Sequence, residues 1–164
     1  MSIETTWWEV CDSSSIVEGS RKHACIEGRY VTVFRNRGKL SVIDSVCHHA
    51  GGPLTLGSIE DIEEIGLTVV LCPWHKFMIS INGGEDGNEG GLKVYKGVDI
   101  VDGKPKPSGW KVGKIVQRPH FVKELDGCVY VSLNENVDLQ CVSDVDAKNV
   151  HCGSQFDAQV VNEK

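Results

Sequence analysis

Apolar residues along this chain come in short runs separated by glycine-rich polar stretches. Tyr30–Phe34 (YVTVF) and Leu40–Ile43 (LSVI) flank the turn-like segment Arg35–Lys39, and together they predict a β-hairpin. Leu67–Leu71 (LTVVL) is a continuous apolar run of strand length, the pattern of a buried strand, and Met78–Ile81 follows closely. Phe121–Leu125 and Cys128–Leu133 face each other across Asp126-Gly127, a two-residue hairpin signal. In the second of these strands Val129, Val131 and Leu133 fall on one face and form a candidate core. Residues 82–91 (NGGEDGNEGG) and 102–110 (DGKPKPSGW) read as loops. The first of these lacks the Gly-Lys-[Ser/Thr] and the strand-then-helix context of a phosphate cradle. From about Asn134 the β pattern is lost. The expectation is an all-β protein of short antiparallel strands.

The length, 164 residues, suits one domain with a core of its own. A net charge of −6 lacks the basic footprint that nucleic-acid binding requires. The charge is unevenly spread: residues 57–66 hold four acids and no base, whereas 93–118 hold seven Lys/Arg against two Asp. Two solvated faces account for this, and a charged docking surface for a partner protein is the sharper alternative. The N-terminal MSIETTWWEV lacks the apolar core and early positive charge of a signal peptide, and no apolar run approaches the ~20 residues of a membrane span. These features predict an intracellular, cytoplasmic protein. The cysteines, seven in number, favour metal ligands and free thiols over a disulfide framework.

Two short runs carry the chemistry. The first is Cys47-His48-His49-Ala50-Gly51-Gly52-Pro53-Leu54, and the second is Cys72-Pro73-Trp74-His75. Each offers a thiolate and an imidazole at close spacing, each follows a predicted strand, and 22 residues separate His49 from Cys72. Loops leaving neighbouring strands can close on one metal centre from two sides. In a binuclear iron–sulfur cluster the thiolates can take one iron and the neutral imidazoles the other, which lowers the negative charge of the centre and raises its potential. A Cys2His2 zinc site accepts the same ligands and stays open at this point, although zinc sites more often draw both cysteines from one knuckle and both histidines from a helix. Cys11, Cys25, Cys128, His23 and His120 receive no functional assignment.

The two runs resemble the Rieske family: C-x-H, a longer spacer, then C-x-x-H, with Gly51, Leu54 and Pro73 in the family's further positions. The chain is most similar to the small stand-alone Rieske iron–sulfur domain proteins of animals, through CHHAGGPLTLGSIEDIEE, CPWHK and the late QRPH segment, residues 117–120. The resemblance implies a Rieske fold: antiparallel sheets in a sandwich, with a small cluster-binding subdomain formed by two loops. It implies a Rieske domain over residues 1–135, with cluster loops at about 45–80. A C-terminal extension over 136–164 is then a short helix or loose tail. It also implies one [2Fe–2S] cluster per chain, with Cys47 and Cys72 on an inner iron and His49 and His75 on an outer iron near the surface. His48 is then no ligand and faces solvent.

Departures from the family pattern matter too. High-potential relatives carry a disulfide between the loops and a serine hydroxyl on the cluster; the matching positions here are Gly52, Trp74 and Phe77. Fewer donors around the cluster imply a low potential. Lys76 stands where most of the family has glycine, and the acidic run Glu60–Glu64 is expected to form an extra surface turn. The implied function is a carrier of single electrons, or a redox subunit, between a reductase and an oxygenase or hydroxylase. A redox or iron sensor would show the same cluster motif. A self-contained oxygenase needs a second iron site with two histidines and a carboxylate. After His75 only His120 and His151 remain, 31 residues apart, so the sequence leans away from an enzyme.

Overall fold

Four X-Gly pairs set the topology. At Glu27-Gly28, Arg37-Gly38, Asp102-Gly103 and Asp126-Gly127 both residues have positive φ, for example 53° and 74° at Arg37-Gly38. This is the backbone of the two-residue turn whose twist matches antiparallel strands. The structure, a computed structural model, describes residues 5–82, 90–153 and 159–161; most of the acidic glycine-rich stretch predicted at 82–91 thus lies outside the described residues. Strands β1 (Trp8–Asp12), β2 (Arg21–Ile26), β3 (Arg29–Asn36) and β4 (Lys39–Asp44) come first. Next are β5 (Ser58–Ile62), β6 (Leu67–Leu71), β7 (Met78–Ser80), β8 (Leu92–Val101) and β9 (Lys104–Ile115). The last are β10 (Pro119–Leu125), β11 (Cys128–Ser132) and β12 (Gln159–Val161). The fold is all-β, as expected, in two sheets: a seven-stranded one ordered β1-β11-β10-β4-β3-β2-β12 and a five-stranded one ordered β5-β6-β7-β8-β9. Among the described residues no helix is long and apolar enough to cross a membrane.

The larger sheet curls until its outer strands β1 and β12 touch. Its interior is lined by one face of each strand: Trp8, Val10, Ile26, Val31, Val33, Val42, Val122, Val129, Val131 and Val161. Val129 and Val131 are fully buried, with Leu133 partly buried at the rim. A second core joins the two sheets through Phe34, Ile43, Leu54, Val70, Ile79 and Val116, and it includes Cys47 and Cys72. The site therefore hangs on the seam between the sheets.

Two expectations need correction. Residues 102–110 are largely strand, not loop: β9 pairs with β8 along its whole length, with Val98 opposite Pro107 and Ile100 opposite Pro105. Proline lacks an N–H, but β9 is an edge strand and leaves one side unpaired, so Pro105 and Pro107 are tolerated there. The acidic run at 60–64 is not simply a turn. Glu60 and Asp61 lie in β5, and only Glu63–Ile65 forms a 3-10 turn, closed by Gly66 at φ 67°.

Beyond β11 the chain folds back on the sheet. A 3-10 turn (Val142–Val145) and a short helix (Val150–Gly153) lead to β12, which pairs in parallel with β2. Arg118 ties this return in place: its guanidinium bonds both carboxylate oxygens of Asp144 at 2.8 Å and the carbonyls of Asn136 and Leu139. Beneath it lies fully buried Asp44, which accepts from Arg29 at 2.6 and 2.7 Å, from His120 Nε2 at 2.8 Å and from the Ser143 hydroxyl at 2.6 Å. His120 also accepts the Asn134 N–H at 3.0 Å. Both of its ring nitrogens are thus engaged in holding the fold. His23 differs: it is buried with neither ring nitrogen bonded among the described residues, and burial pushes it down to about 4, so it stays neutral.

Candidate metal centre

The two loops singled out in the sequence leave β4 and β6, and they are built alike. In the first, the Cys47 N–H donates to the Gly52 carbonyl at 2.9 Å and the Cys47 carbonyl accepts from Gly51 at 3.0 Å. In the second, the Cys72 N–H donates to the Phe77 carbonyl and the Cys72 carbonyl accepts from Lys76, both at 2.8 Å. Each cysteine thus closes a turn four and five residues ahead of itself. Such a turn needs a left-handed residue at the fourth position. Gly51 fills it in the first loop at φ 77°, and Lys76 fills it in the second at φ 61°. The family's glycine at the Lys76 position has a backbone reason, and the lysine here holds a conformation that costs a non-glycine residue roughly 1 kcal/mol. Lys76→Gly should therefore raise the thermal midpoint by a few degrees, about the effect of 1 kcal/mol on a domain of this size; calorimetry of the two proteins checks this.

The four candidate ligands divide into two pairs. Cys47 and Cys72 are both buried in the core that joins the sheets. The interaction of the two thiols pulls Cys72 down to about 6 and pushes Cys47 up, because one proton serves both sulfurs. His49 and His75 are exposed at the loop tips with ring centroids 4.9 Å apart, edge to face. Among the described residues, no three of these four bring their donor atoms all within 4.8 Å of one another. A single tetrahedral ion gathers its ligands more tightly than that. A buried sulfur pair below an exposed nitrogen pair suits a binuclear centre, with thiolates inside and imidazoles outside.

Neighbouring side chains fix these positions. Gly52 lies under the sulfurs: a Cβ there would come 2.5 Å from Cys72 Sγ and 3.2 Å from the Trp74 ring. Gly52 and Trp74, the positions at which the resemblance places an inter-loop disulfide in high-potential relatives, lie close enough that a side chain at Gly52 would press on the Trp74 ring. Phe77 stacks on His49, 4.2 Å between centroids at 25°, and receives the His48 ring edge-on at 5.6 Å. His48, expected to face solvent, is half-buried, with its ring turned onto Phe77.

Sequence reasoning missed the residue that anchors the first loop. Gln117, fully buried, donates through Nε2 to the carbonyls of Asp44 at 3.0 Å and Val46 at 2.5 Å, and its Oε1 accepts the His48 N–H at 3.0 Å. Gly91 holds Gln117 from behind: its carbonyl accepts the Gln117 N–H at 3.2 Å, and a Cβ at Gly91 would sit 1.8 Å from the Gln117 carbonyl oxygen. The QRPH run was visible as a shared segment, but nothing local in it signalled a contact with a loop 69 residues away.

Two β sheets thus carry the two Cys/His loops on the seam between them. A family model for soluble Rieske-type ferredoxins matches residues 9–136. A Rieske domain-containing protein of Homo sapiens is 36% identical over 129 residues, which is 79% of this chain and 75% of the human protein. The fold resembles a chain from the complex of reduced oxygenase and oxidised ferredoxin in carbazole 1,9a-dioxygenase (TM-score 0.52, 19% identity, 79% of this chain and 94% of that one). It also resembles the Sphingomonas yanoikuyae B1 ferredoxin (TM-score 0.51, 19% identity, 80% of this chain and 100% of that one). The chain belongs to the Rieske-type ferredoxin family, a family of iron–sulfur electron-transfer proteins.

Proposed function

We propose that this chain is a one-electron carrier holding a [2Fe–2S] cluster, with Cys47 and Cys72 on the inner iron and His49 and His75 on the outer iron. The observation that carries the reading is the split between a buried thiol pair and an exposed imidazole pair on two loops of matching construction. When bound, the cluster would supply reversible one-electron chemistry. The chain's own residues do the rest. The core around Cys47 and Cys72 keeps water from the sulfurs, and Gly52 leaves them room. Phe77 and Gln117 hold His49 and the first loop in a fixed pose, so little rearrangement accompanies each electron. The exposed imidazole edges give the shortest exit to a docked protein. The partners proposed are a reductase on one side and an oxygenase- or hydroxylase-type acceptor on the other. Metal and sulfide analysis tests the reading: iron and acid-labile sulfide in equal amounts support it, and stoichiometric zinc without sulfide overturns it.

The potential follows from the same residues. The loop pair has Gly52 and Trp74 in place of a disulfide and an apolar ring at Phe77 in place of a hydroxyl donor. A reduced cluster carries extra negative charge, and fewer donors stabilise it less. The potential should fall in the lower part of the Rieske range of roughly −150 to +300 mV. Potentiometric titration at neutral pH reads it, and a value near the upper end would contradict the argument.

A further inference from the structure

The long hairpin of β8 and β9 has an unusual position. Met78 begins β7 directly after the second loop and pairs with Val94, so β8 from Tyr95 to Val101 runs past the sheet at the cluster-loop end. At ~3.3 Å per residue this makes an arm of roughly 20 Å beside the loops. Its two faces differ. One face carries Val94, Lys96, Val98 and Ile100, with Trp110, Pro107 and Pro105 opposite the last three; Val94 and Trp110 belong to the small core of Ile62 and Val69, whereas Val98 and Ile100 are exposed. The other face carries Lys93, Tyr95, Asp99 and Val101, with Lys111, Lys106 and Lys104 opposite the last three. This second face lies on the side of the exit: the Lys93 ammonium is 5.8 Å from the Phe77 centroid, and Phe77 stacks on His49. Four lysines against Asp99 make it basic, in a chain whose net charge is −6. The opposite edge of the same sheet, β5 and the turn after it, is acidic through exposed Glu60, Asp61, Glu63 and Glu64.

We infer that the basic face of this arm is the docking surface for an acidic electron-transfer protein, which it seats against the His49–His75 edge. The inference rests on the carrier reading above and names the kind of partner that reading needs. A protein that reaches the exposed imidazoles meets Lys93, Lys104, Lys106 and Lys111 on its way. The acidic edge across the sheet repels the same partner and turns it toward the arm. Opposite charges arranged in this way raise encounter rates at low salt and lose their effect as salt screens them.

The test uses the hydroquinone form of flavodoxin, an acidic one-electron flavoprotein, as reductant of the oxidised protein in stopped flow. The flavin gives up one electron, the cluster takes it, and the cluster's visible absorption bleaches. A Lys104→Glu/Lys106→Glu/Lys111→Glu variant should lower the second-order rate by about tenfold or more at low ionic strength, with the difference gone at high salt. A Lys104→Gln/Lys106→Gln/Lys111→Gln variant should fall between. A control with the same change in net charge elsewhere, Lys22→Glu/Lys39→Glu/Lys148→Glu, should change it less than about twofold. An equal drop in the control, or none in the arm variant, overturns the inference. So does binding of the parent, but not of the arm variant, to phosphatidylserine vesicles, or a parent dimer that the arm variant dissolves. A parent without iron and sulfide overturns the carrier reading and this surface with it, whereas a loaded parent indifferent to arm charge overturns the surface alone.

Discussion

Cys47→Ala and Cys72→Ala proteins should be purified without iron or acid-labile sulfide, yet with their far-ultraviolet β signature intact. The thiols sit in the core that joins the sheets, while the core of the larger sheet contains none of the proposed ligands. Cluster loss should therefore loosen the loops without melting the barrel-like sheet. His49→Ala and His75→Ala should also lose the native paramagnetic signal of the reduced protein. His48→Ala should keep it, because the substitution leaves in place the backbone N–H through which Gln117 anchors this loop. Binding and loop order are coupled, because ligands that are not preformed in the unfolded chain are ordered at the expense of binding free energy. Hydrogen exchange in residues 45–57 and 72–77 should thus accelerate in the four ligand variants and change little in His48→Ala. Loss of the signal in His48→Ala with retention in His49→Ala would show the outer ligand to be the wrong histidine.

Asp44→Ala should be the most damaging change away from the loops, at about 3–5 kcal/mol. The carboxylate is fully buried and receives Arg29, His120 and Ser143 together, so its removal takes from Arg29 one of its two carboxylates, the other being Asp144, and leaves the buried His120 Nε2 and Ser143 hydroxyl without their acceptor. Asp44→Asn should cost less, because it keeps the shape and some of the acceptors. The same network sets the response to acid. Burial pushes Asp44 and Asp144 up, but hydrogen bonds from His120 and Arg29 to the first, and from Arg118 and Arg29 to the second, outweigh burial and hold both below the ordinary carboxylate range. Their contribution to stability is complete above the unfolded value of about 3.9 and drains away as pH falls below it. Chemical denaturation as a function of pH should show a steep decline below about pH 4 that is much shallower in Asp44→Asn. An unchanged slope in that variant would place the acid-sensitive group elsewhere.

What the sequence shows well is what is local. Each candidate loop holds its cysteine and histidine within a few residues, so the spacing reveals the site, and β6 at Leu67–Leu71 follows from an uninterrupted apolar run. Asp126-Gly127 announces its hairpin. The same Asp-Gly signal stands at 102–103, but Pro105 and Pro107 follow it, and a linear sequence does not say which strand becomes an edge where proline is tolerated. Lys76 stood out only as a departure; its left-handed backbone explains why glycine is usual there. Gln117 was illegible for a different reason. Its three hydrogen bonds reach residues 69 to 73 positions away, and nothing in QRPH encodes such a distance. The inward turn of His48 depends on that same contact.

The meeting of β1 and β12 at the open side of the larger sheet bears on how the chain is made. Among the described strands translation delivers β1 and β2 well before β12, and β12 lies parallel to β2 against a strand completed more than a hundred residues earlier. A ribosome-bound chain can complete the five-stranded sheet, residues 58–115, long before the larger sheet has its final edge. Until the last strand emerges, β2 offers an unsatisfied row of backbone donors and acceptors to any neighbouring nascent chain. The emergence of β12 is thus the event that closes the β2 edge to neighbouring chains.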